Sequence, residues 1–415
     1  MGVKKGSISY NIERMPLQQN DLIYDREFLN IVENASKDFN YATSHASIAC
    51  PFDITMHKQV HEHAAKIGPL DYCVVIGIGG SSLGFRAVYE ALQDTATIPS
   101  DRVLFLETID APAVKQAYTI LDSALKNGAR VHVCVISKSG TTLETVTLWQ
   151  IIQPLLAMRK PKDWYTHVTI ITDENSPLAA YAQTHNITCM KIPKLVGGRY
   201  SVCSPVGLMP LSMCGIDINS FCAGARDAVT MLCTGQNSMP FNHASALVWA
   251  YTHNYHVHDT FIFSTWCAAL GQWYRQLAAE SLGKADARGT IFSMIPTVSI
   301  GSTDLHSIGQ LYFSGARNFW TTIILLNEKK FSSNKLTEIM HALAHATLQT
   351  YQDLAIPFSV LELPERSAYT IGFVMQSYML AIMQAGKHLE LNPFNQPNVE
   401  RYKILAHAQL DAYPS

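Results

Sequence analysis

VHVCVISKSGTTLET, residues 131–145, is the stretch of sequence that decides the fold class. It begins as an apolar, β-branched run of strand length and continues through a turn of small hydroxyl residues into a helical pattern. A buried strand that leads directly into a helix is the repeating unit of parallel α/β proteins. The segment therefore predicts an α/β protein.

The turn in this stretch also predicts a phosphate site. Backbone amides at a helix start have no intrahelical partner, and the helix dipole stabilises an anion there by ~0.3–1 kcal/mol. Donors are added by the hydroxyls of Ser137, Ser139, Thr141 and Thr142, and Lys138 adds a positive charge. Because the turn has neither the glycines of a dinucleotide motif nor a Walker lysine, we expect a small phosphorylated metabolite.

Similar strand–helix units occur on both sides of this stretch. The first series has expected strands at 73–78, 103–107, 131–136 and 167–172 and expected helices at 82–92, 142–158 and 176–185. After a glycine turn at 197–198, strands are expected at 260–265, 292–299 and 320–326, and helices at 268–282, 307–313, 336–354 and 368–384. Runs with little polar alternation indicate strands buried on both faces. We therefore expect two α/β units with mainly parallel sheets, and a tail from residue 389 that ends in a helix.

Composition argues against several classes of protein. The 415 residues carry 31 Lys and Arg against 33 Asp and Glu, with no block of like charge, so a nucleic-acid partner is not expected. No run approaches the ~20 apolar residues that span a bilayer, so no membrane association is expected either. The N-terminus also lacks the apolar core of a signal peptide. The nine cysteines form no C-x-x-C pair, which indicates reduced thiols. We expect a soluble, cytoplasmic, two-domain protein.

The turn GIGGSSLG, residues 77–84, follows the first strand and opens a helix. It departs from the dinucleotide fingerprint because Ser82 stands where the third glycine belongs. A tight strand–helix turn explains the glycines as well as ligand binding does. Ser81 and Ser82, however, lie at the carboxyl end of a strand, where ligands collect in open α/β sheets. We interpret the turn as a second wall of the phosphate or sugar site.

A candidate general base lies in the segment GQWYRQLAAES. Gln276 and Glu280 are spaced i, i+4 and share one helix face, with small alanines between them. A carboxylate oriented by an amide can act as a general base, although this segment alone favours a surface glutamate. Glu144 has a similar second interpretation, in which it only stabilises the first turn of its helix.

Three loops contribute further polar groups. Arg199, in VGGRYS, offers a planar cation that suits a phosphate or a developing enediolate, and a solvated loop arginine explains the segment equally well. His306, in GSTDLHS, follows a strand end, but a lone histidine is more often structural than catalytic. The stretch NPFNQPNVERYK, residues 392–403, has the composition of a surface loop.

Two groups of residues have the spacing of metal ligands. His57 and His61 share a helix face, as do Glu338, His341 and His345. Neither group has a convincing further ligand, so we expect no metal site. The histidines between residues 253 and 258 have the pattern of a polar loop.

Six motifs, taken in order, resemble the glucose-6-phosphate isomerases of the shorter bacterial type. They are GIGGSSLG (77–84), ISKSGTTLET (136–145), VGGRYS (196–201), QLAAESLGK (276–284), GSTDLHS (301–307) and NPFNQPNVERYK (392–403). The resemblance implies two sugar-isomerase (SIS-type) three-layer αβα domains at 41–195 and 196–388, between an N-terminal segment (1–40) and a C-terminal tail (389–415). It also implies reversible conversion of glucose 6-phosphate to fructose 6-phosphate, a step of glycolysis and gluconeogenesis, without a metal or an organic cofactor.

The resemblance also implies a role for each motif residue. Glu280 is similar to the base that moves the proton between C2 and C1, and Arg199 to the arginine that stabilises a cis-enediol(ate). His306 and Lys403 match the pair that opens the sugar ring. The phosphate-holding positions are Ser81, Ser137, Lys138, Ser139 and Thr142, and the supporting positions are Gln276, Gln396 and Glu144. In this family the histidine usually reaches the site from the partner subunit, which implies a homodimer.

Three residues depart from the family pattern. Asn395 and Asn398 stand where aspartate and glycine are usual, and Leu282 stands where a polar residue is common. None of these changes removes a group that the mechanism requires.

Two alternatives stay open. Another sugar-phosphate isomerase, or one that also accepts mannose 6-phosphate, would share the phosphate loop and the base. A non-catalytic sugar-phosphate sensor would share the domains, but such sensors normally carry a DNA-binding module, and no basic helix-turn-helix segment is present. Glu280, His306 and Lys403 together favour the enzyme.

Overall fold

The computed structural model of the chain describes residues 8–17, 23–235, 237–286, 288–292, 294–315, 317–327 and 335–412. These residues form two five-stranded sheets with helices around them. The strands are β1 (Ser9–Glu13), β2 (Tyr72–Ile76), β3 (Val103–Leu106), β4 (Val131–Ile136), β5 (Val168–Thr172), β6 (Thr188–Lys191), β7 (Val257–Ile262), β8 (Ile295–Ile300), β9 (Phe319–Leu326) and β10 (Phe358–Leu363).

The helices fill the connections between the strands. They are α1 (Arg26–Ala35), α2 (Ile54–Ile67), α3 (Leu83–Ala91), α4 (Ala111–Lys126), α5 (Leu143–Arg159), α6 (Pro177–Thr184), α7 (Pro205–Met213), α8 (Ile218–Thr234), α9 (Met239–Thr252), α10 (Ala268–Leu282), α11 (Gly309–Ser314), α12 (Lys335–Asp353), α13 (Ala368–His388) and α14 (Glu400–Ala412). Among the described helices, none has both the length and the apolar character to cross a membrane.

The first sheet has the strand order β3-β2-β4-β5-β6 and is parallel throughout. Successive residues of its strands pack on opposite faces of the sheet, in two separate apolar clusters. In β2, Cys73 and Val75 join one cluster, and Val74 and Ile76 join the other. Both faces of the sheet are therefore covered, which explains why its strands are apolar runs without polar alternation.

The second sheet has the order β1-β10-β9-β7-β8. Its inner strands are parallel, and β1 runs antiparallel to β10, with Ser9 opposite Glu362 and Glu13 opposite Phe358. The two faces again enter separate clusters, because Ile323 of β9 packs in one and Ile324 in the other. The N-terminal strand thus completes a sheet whose other members lie far along the chain.

The structure confirms the predicted α/β class with two mainly parallel sheets. Strand β4 and helix α10 have the predicted bounds. Strand β7 ends at Ile262, earlier than predicted, because Thr265–Cys267 form a 3₁₀ helix. The helix expected around His57 and His61 is α2, but the sequence analysis missed several other elements, namely β1, β6, β10, α1, α4, α7, α8 and α9. Helix α7 shows one reason: all of its residues except Ser212 are buried, so no polar face marks a helical period.

Helix α13 forms the centre of the helical layer and directs the C-terminal tail. Every residue from Thr370 to Gly386 is buried. It crosses α8 so closely that a Cβ on Gly372 would lie 2.0 Å from the carbonyl oxygen of Phe221. After α13 the chain turns back, and a Cβ on Gly386 would lie 3.1 Å from Pro393. This packing fixes where the turn at residues 392–395 begins.

Candidate active site

Two loops meet at the carboxyl edge of the first sheet. Strands β2 and β4 are neighbours, so the loops that follow them emerge side by side. A Cβ on Gly77 would lie 3.0 Å from both the carbonyl oxygen of Ile136 and the Cβ of Ser81. Ser81 is half-buried beside the start of the second loop. The predicted second wall therefore lies against the predicted phosphate loop.

The phosphate loop, residues 137–142, is organised by its own side chains. The hydroxyls of Ser137 and Thr142 lie 2.9 Å apart, and the amide of Gly140 donates to the Ser137 hydroxyl at 3.2 Å. Gly140 has a φ of +69°, which favours glycine. Thr142 occupies the N-cap of α5 without using its side chain as a cap. The loop therefore holds its hydroxyls in a compact turn at a helix start, an arrangement suited to a phosphate.

The remaining loop residues are more open. The Ser139 hydroxyl accepts hydrogen bonds from the amide and the hydroxyl of Thr141. Burial lowers the pKa of Lys138, and nearby Asp173 opposes that shift. Glu144 lies in the first turn of α5, as its second interpretation requires. Lys138 and the Ser139 hydroxyl are the groups of this part that suit an incoming anion.

Arg199 is the hub of a second group of residues, which we call the base cluster (Arg199, Gln276, Glu280 and Gln396). The Arg199 side chain is almost completely buried, and its Nη1 donates to Glu280 Oε2 at 3.1 Å and to Gln396 Oε1. Its Nε donates to the hydroxyl of Ser281 at 2.7 Å. A buried guanidinium with this many acceptors has one fixed position, so the solvated-loop interpretation of Arg199 is wrong.

Glu280 is held between two donors and remains accessible. Gln276 Nε2 donates to Glu280 Oε1 at 2.8 Å, while Arg199 contacts the other carboxylate oxygen. The Glu280 side chain is 34% exposed, so solvent or a ligand can reach it. This carboxylate is oriented as a proton acceptor requires.

The base cluster also contacts the first sheet. A Cβ on Gly79 would lie 3.0 Å from Gln276 Nε2, and one on Gly80 would lie 2.2 Å from the carbonyl carbon of Gly198. The GIGG turn (residues 77–80) therefore packs directly against the Arg199 loop and against α10, the helix that carries Glu280. This turn thus connects the phosphate loop with the base cluster.

The C-terminal turn supplies the other side of the base cluster. Arg199 Nη2 donates to the carbonyl oxygens of Pro393 at 2.6 Å and Asn395 at 3.1 Å. The surface-loop interpretation of this stretch holds for Asn395 and Gln396, which are exposed, whereas Pro393 is buried. The sequence analysis also missed Ser281 and Tyr200, whose hydroxyls lie 2.9 Å apart beneath Arg199. Their position beside Glu280 and Arg199 in the two motifs was the available signal.

Two predicted residues are not part of the base cluster. His306 ends a 3₁₀ helix after β8 and is exposed. Lys403 is exposed on α14 and donates to Glu400 at 2.8 Å. Within the described part of the chain, neither forms a hydrogen bond or an ion pair with Glu280 or Arg199.

The histidine groups have other partners. His57 Nε2 lies 2.8 Å from the carbonyl oxygen of Cys50, and His341 Nε2 lies 3.2 Å from that of Leu326. Among the residues that the structure describes, no three His, Cys, Asp or Glu side chains are arranged to hold a metal ion.

Comparison with known proteins yields one consistent group. The sequence model of the family described as "Phosphoglucose isomerase" matches residues 62–335. Glucose-6-phosphate isomerase from Thermus thermophilus is 30% identical over 378 residues, which cover 87% of this chain and 88% of that protein. Among solved structures, a hypothetical protein from the same species aligns with a TM-score of 0.84 and 26% identity, covering 97% of this chain and 100% of that one. A glucose-6-phosphate isomerase from Chlamydia trachomatis shares the fold, with a TM-score of 0.73 and 22% identity over 98% of this chain and 82% of that one.

Proposed function

Because this chain belongs to the phosphoglucose isomerase family, we propose that its site performs the reaction for which its relatives are named. The protein is an aldose–ketose isomerase that interconverts glucose 6-phosphate and fructose 6-phosphate. The observation that carries the mechanism is the accessible Glu280 carboxylate held against the buried Arg199 guanidinium.

Glu280 acts as the general base. The open-chain sugar presents its C2 proton to this carboxylate, which removes the proton and returns it to C1. The C2 hydroxyl gives up its proton and the C1 oxygen gains one, so that an aldose becomes a ketose. General base catalysis contributes ~10²–10⁴-fold to such steps. The i, i+4 hydrogen bond from Gln276 keeps one carboxylate oxygen oriented. Support for this assignment comes from the carboxylate's exposure and its two donors.

Arg199 stabilises the cis-enediol(ate) intermediate. Negative charge develops on the C1 and C2 oxygens as the proton leaves, and a fixed cation beside Glu280 lowers the cost of that charge. Burial and five acceptors hold the guanidinium in place before the substrate arrives. Gln396, on the same Nη1, lies where it can contact the sugar.

The phosphate group anchors the substrate remotely from the reacting carbons. Its oxygens accept hydrogen bonds from the side chains of Ser81, Ser137, Lys138, Ser139 and Thr142. Glu144 supports the start of α5. Such an anchor keeps a flexible open chain in register, so binding energy there also accelerates the reaction.

Ring opening is assigned to Lys403 and to His306 of the partner subunit in a homodimer. Support for an assembly comes from α14, where Tyr402, Ile404 and Leu405 are 60%, 68% and 55% exposed. Apolar side chains clustered on one exposed helix are typical of a surface that another chain covers. We also assign the protein to the cytoplasm, which fits its nine free cysteines, and to glycolysis and gluconeogenesis.

The division into domains at 41–195 and 196–388 is part of the same proposal. It places the phosphate loop in one domain and the base in the other, with the catalytic space between them. Limited proteolysis with identification of the first cleavage sites tests this division.

Turnover by mixed dimers tests the reaction and the role of His306 together. Each of the two variants His306→Ala and Glu280→Gln should be nearly inactive alone with fructose 6-phosphate. If His306 acts across the interface, a mixed dimer contains one site with both native residues, so mixing should restore activity. Activity that stays absent after proven subunit exchange would contradict the assignment in trans. Turnover of mannose 6-phosphate by the native protein would favour the dual-specificity alternative.

A further inference from the structure

Lys284 is a buried cation close to the base cluster. It follows the end of α10, and only 9% of the residue is exposed. Its Nζ donates to the carbonyl oxygens of Asn392 at 2.7 Å and Asn395 at 2.6 Å, and to Asn395 Oδ1 at 3.1 Å. An ammonium group has three donors, so all three are used on one turn of the chain.

Arg199 holds the same turn from the other side. Both cations donate to the carbonyl oxygen of Asn395, and Arg199 alone reaches Pro393. The residue that follows this turn is Gln396, whose amide oxygen accepts from Arg199 Nη1, the nitrogen that also contacts Glu280. The position of the turn therefore determines how Arg199 meets both Gln396 and Glu280.

We propose that Lys284 is a positioning residue for the isomerase reaction, which clamps the turn at residues 392–395 so that Arg199, Gln396 and Glu280 keep their relative positions. The inference rests on the proposed function of the base cluster. Lys284 itself has no role in proton transfer, because its donors are all occupied by the turn.

The clamp is sensitive to alkaline pH because its acceptors carry no net charge. Burial, reinforced by Arg199 and opposed by Glu280, lowers the pKa of Lys284 to about 8. Asn395 is a neutral amide, so its side chain adds no charge to hold the lysine proton. Other titratable groups of the adjoining segments include Asp286, which accepts from the amides of Arg288 and Thr290, Tyr200 against Pro393, His45 against Phe394, and the ion pair between Arg288 and Glu390. Above pH 8 a neutral amine keeps two N–H donors for three acceptors, and the clamp loosens.

The pH dependence of the free energy of unfolding distinguishes the loss of the Lys284 contacts from unfolding of the protein. In the unfolded chain a lysine keeps a pKa of about 10.4, so between pH 8 and that value the unfolded state binds the extra proton. The contribution of Lys284 to the free energy of unfolding therefore rises with pH over this range. Loss of turnover through Lys284 is thus expected without loss of stability from this group.

Three variants test the clamp in the full-length protein. Lys284→Met should lower kcat about 10-fold or more, because small misplacements of catalytic groups are costly. Its KM should stay within about 3-fold, because the phosphate loop is untouched. Lys284→Arg keeps a cation at all pH values and should remove the fall of kcat near pH 8. Asn395→Asp supplies a carboxylate and should move that fall upward by about one pH unit. Lys115→Met, at an exposed position of α4, is the matched control.

Hydrogen exchange gives a readout that does not depend on activity. Backbone amides of residues 391–399 should exchange faster in Lys284→Met than in the native protein or Lys115→Met, with the rest of the chain unchanged. Unchanged exchange there, or an unaltered fall of kcat near pH 8 in Lys284→Met and Asn395→Asp, would overturn the proposal. Faster exchange in Lys284→Met, when the native protein lacks isomerase activity, would instead overturn the proposed function and leave the clamp intact.

Discussion

The phosphate loop and the base cluster are built in opposite ways. Four hydrogen bonds of the loop's hydroxyls join residues within 137–142, and others tie its backbone to the neighbouring residues 171–173. The base cluster joins Arg199 to Glu280, 81 positions away, and to Gln396, 197 positions away. A local turn can form as soon as its strand and helix form, whereas the cluster exists only when the whole chain has folded. We therefore expect the loop to tolerate single changes better than the cluster does.

The largest effect is expected at Arg199. Arg199→Lys replaces a planar group that reaches five acceptors by a single ammonium, so kcat should fall ~10²–10³-fold. The loss should be accompanied by a lower midpoint of thermal unfolding, since the Ser281 hydroxyl and the turn carbonyls lose a donor. Steady-state kinetics and thermal denaturation measure both, with Arg275→Lys on the exposed face of α10 as the control. A kcat close to that of the control would show that the cluster does not depend on the guanidinium.

A smaller effect is expected in the phosphate loop. Ser137→Ala and Thr142→Ala each remove one hydroxyl of a 2.9 Å pair, and each should lower kcat/KM by about 10-fold, mainly through KM. A change mainly in KM for these two variants, together with a change mainly in kcat for Arg199→Lys, would distinguish the roles of the two regions. Thr119→Ala, at an exposed position of α4, is the control. Unchanged substrate affinity in both loop variants would exclude the loop as the phosphate anchor.

Gly80→Ala tests the contact between the turn at residues 77–80 and the Arg199 loop, which joins the two regions. The new methyl would overlap Gly198 and push the GIGG turn away from the Arg199 loop, so kcat should fall by about 10-fold. Gly197→Ala is the matched control, because a Cβ there would meet nothing closer than 3.7 Å and its φ of -73° is ordinary. Equal kinetics of the two variants would mean that the turn and the loop move independently.

The smallest effect is expected from removing metal ions. His341 contacts a backbone carbonyl and His57 contacts that of Cys50, so neither needs an ion to be satisfied. Turnover should be unchanged by EDTA, and His341→Ala should stay within about 2-fold of native kcat, as ordinary surface changes do. Activity that falls with EDTA and returns with one added cation would contradict this expectation.

The same contrast explains how far the sequence could be interpreted. The bounds of β4 and α10 and the hydroxyl turn after β4 follow from local patterns, and the structure agrees with them. The pairing of β1 with β10 could not be predicted, since register between distant strands is set by tertiary packing. Lys284 and Ser281 were missed for the same reason: Lys284 contacts a turn that begins 108 positions later in the chain, and Ser281 contacts Arg199, 82 positions earlier. Arg199 was ambiguous in its own segment because only folding buries it.

The central claim is that Glu280, held by Arg199 and Gln276, moves the proton. The most direct measurement is the turnover of Glu280→Gln with fructose 6-phosphate, together with its affinity for the substrate by calorimetry. Gln has nearly the same shape as Glu but cannot accept the C1 proton of fructose 6-phosphate, so turnover should fall at least ~10²-fold while the dissociation constant stays within about 3-fold of native. Near-native turnover in a folded Glu280→Gln variant would contradict the account, because the proton would then be moved by another group.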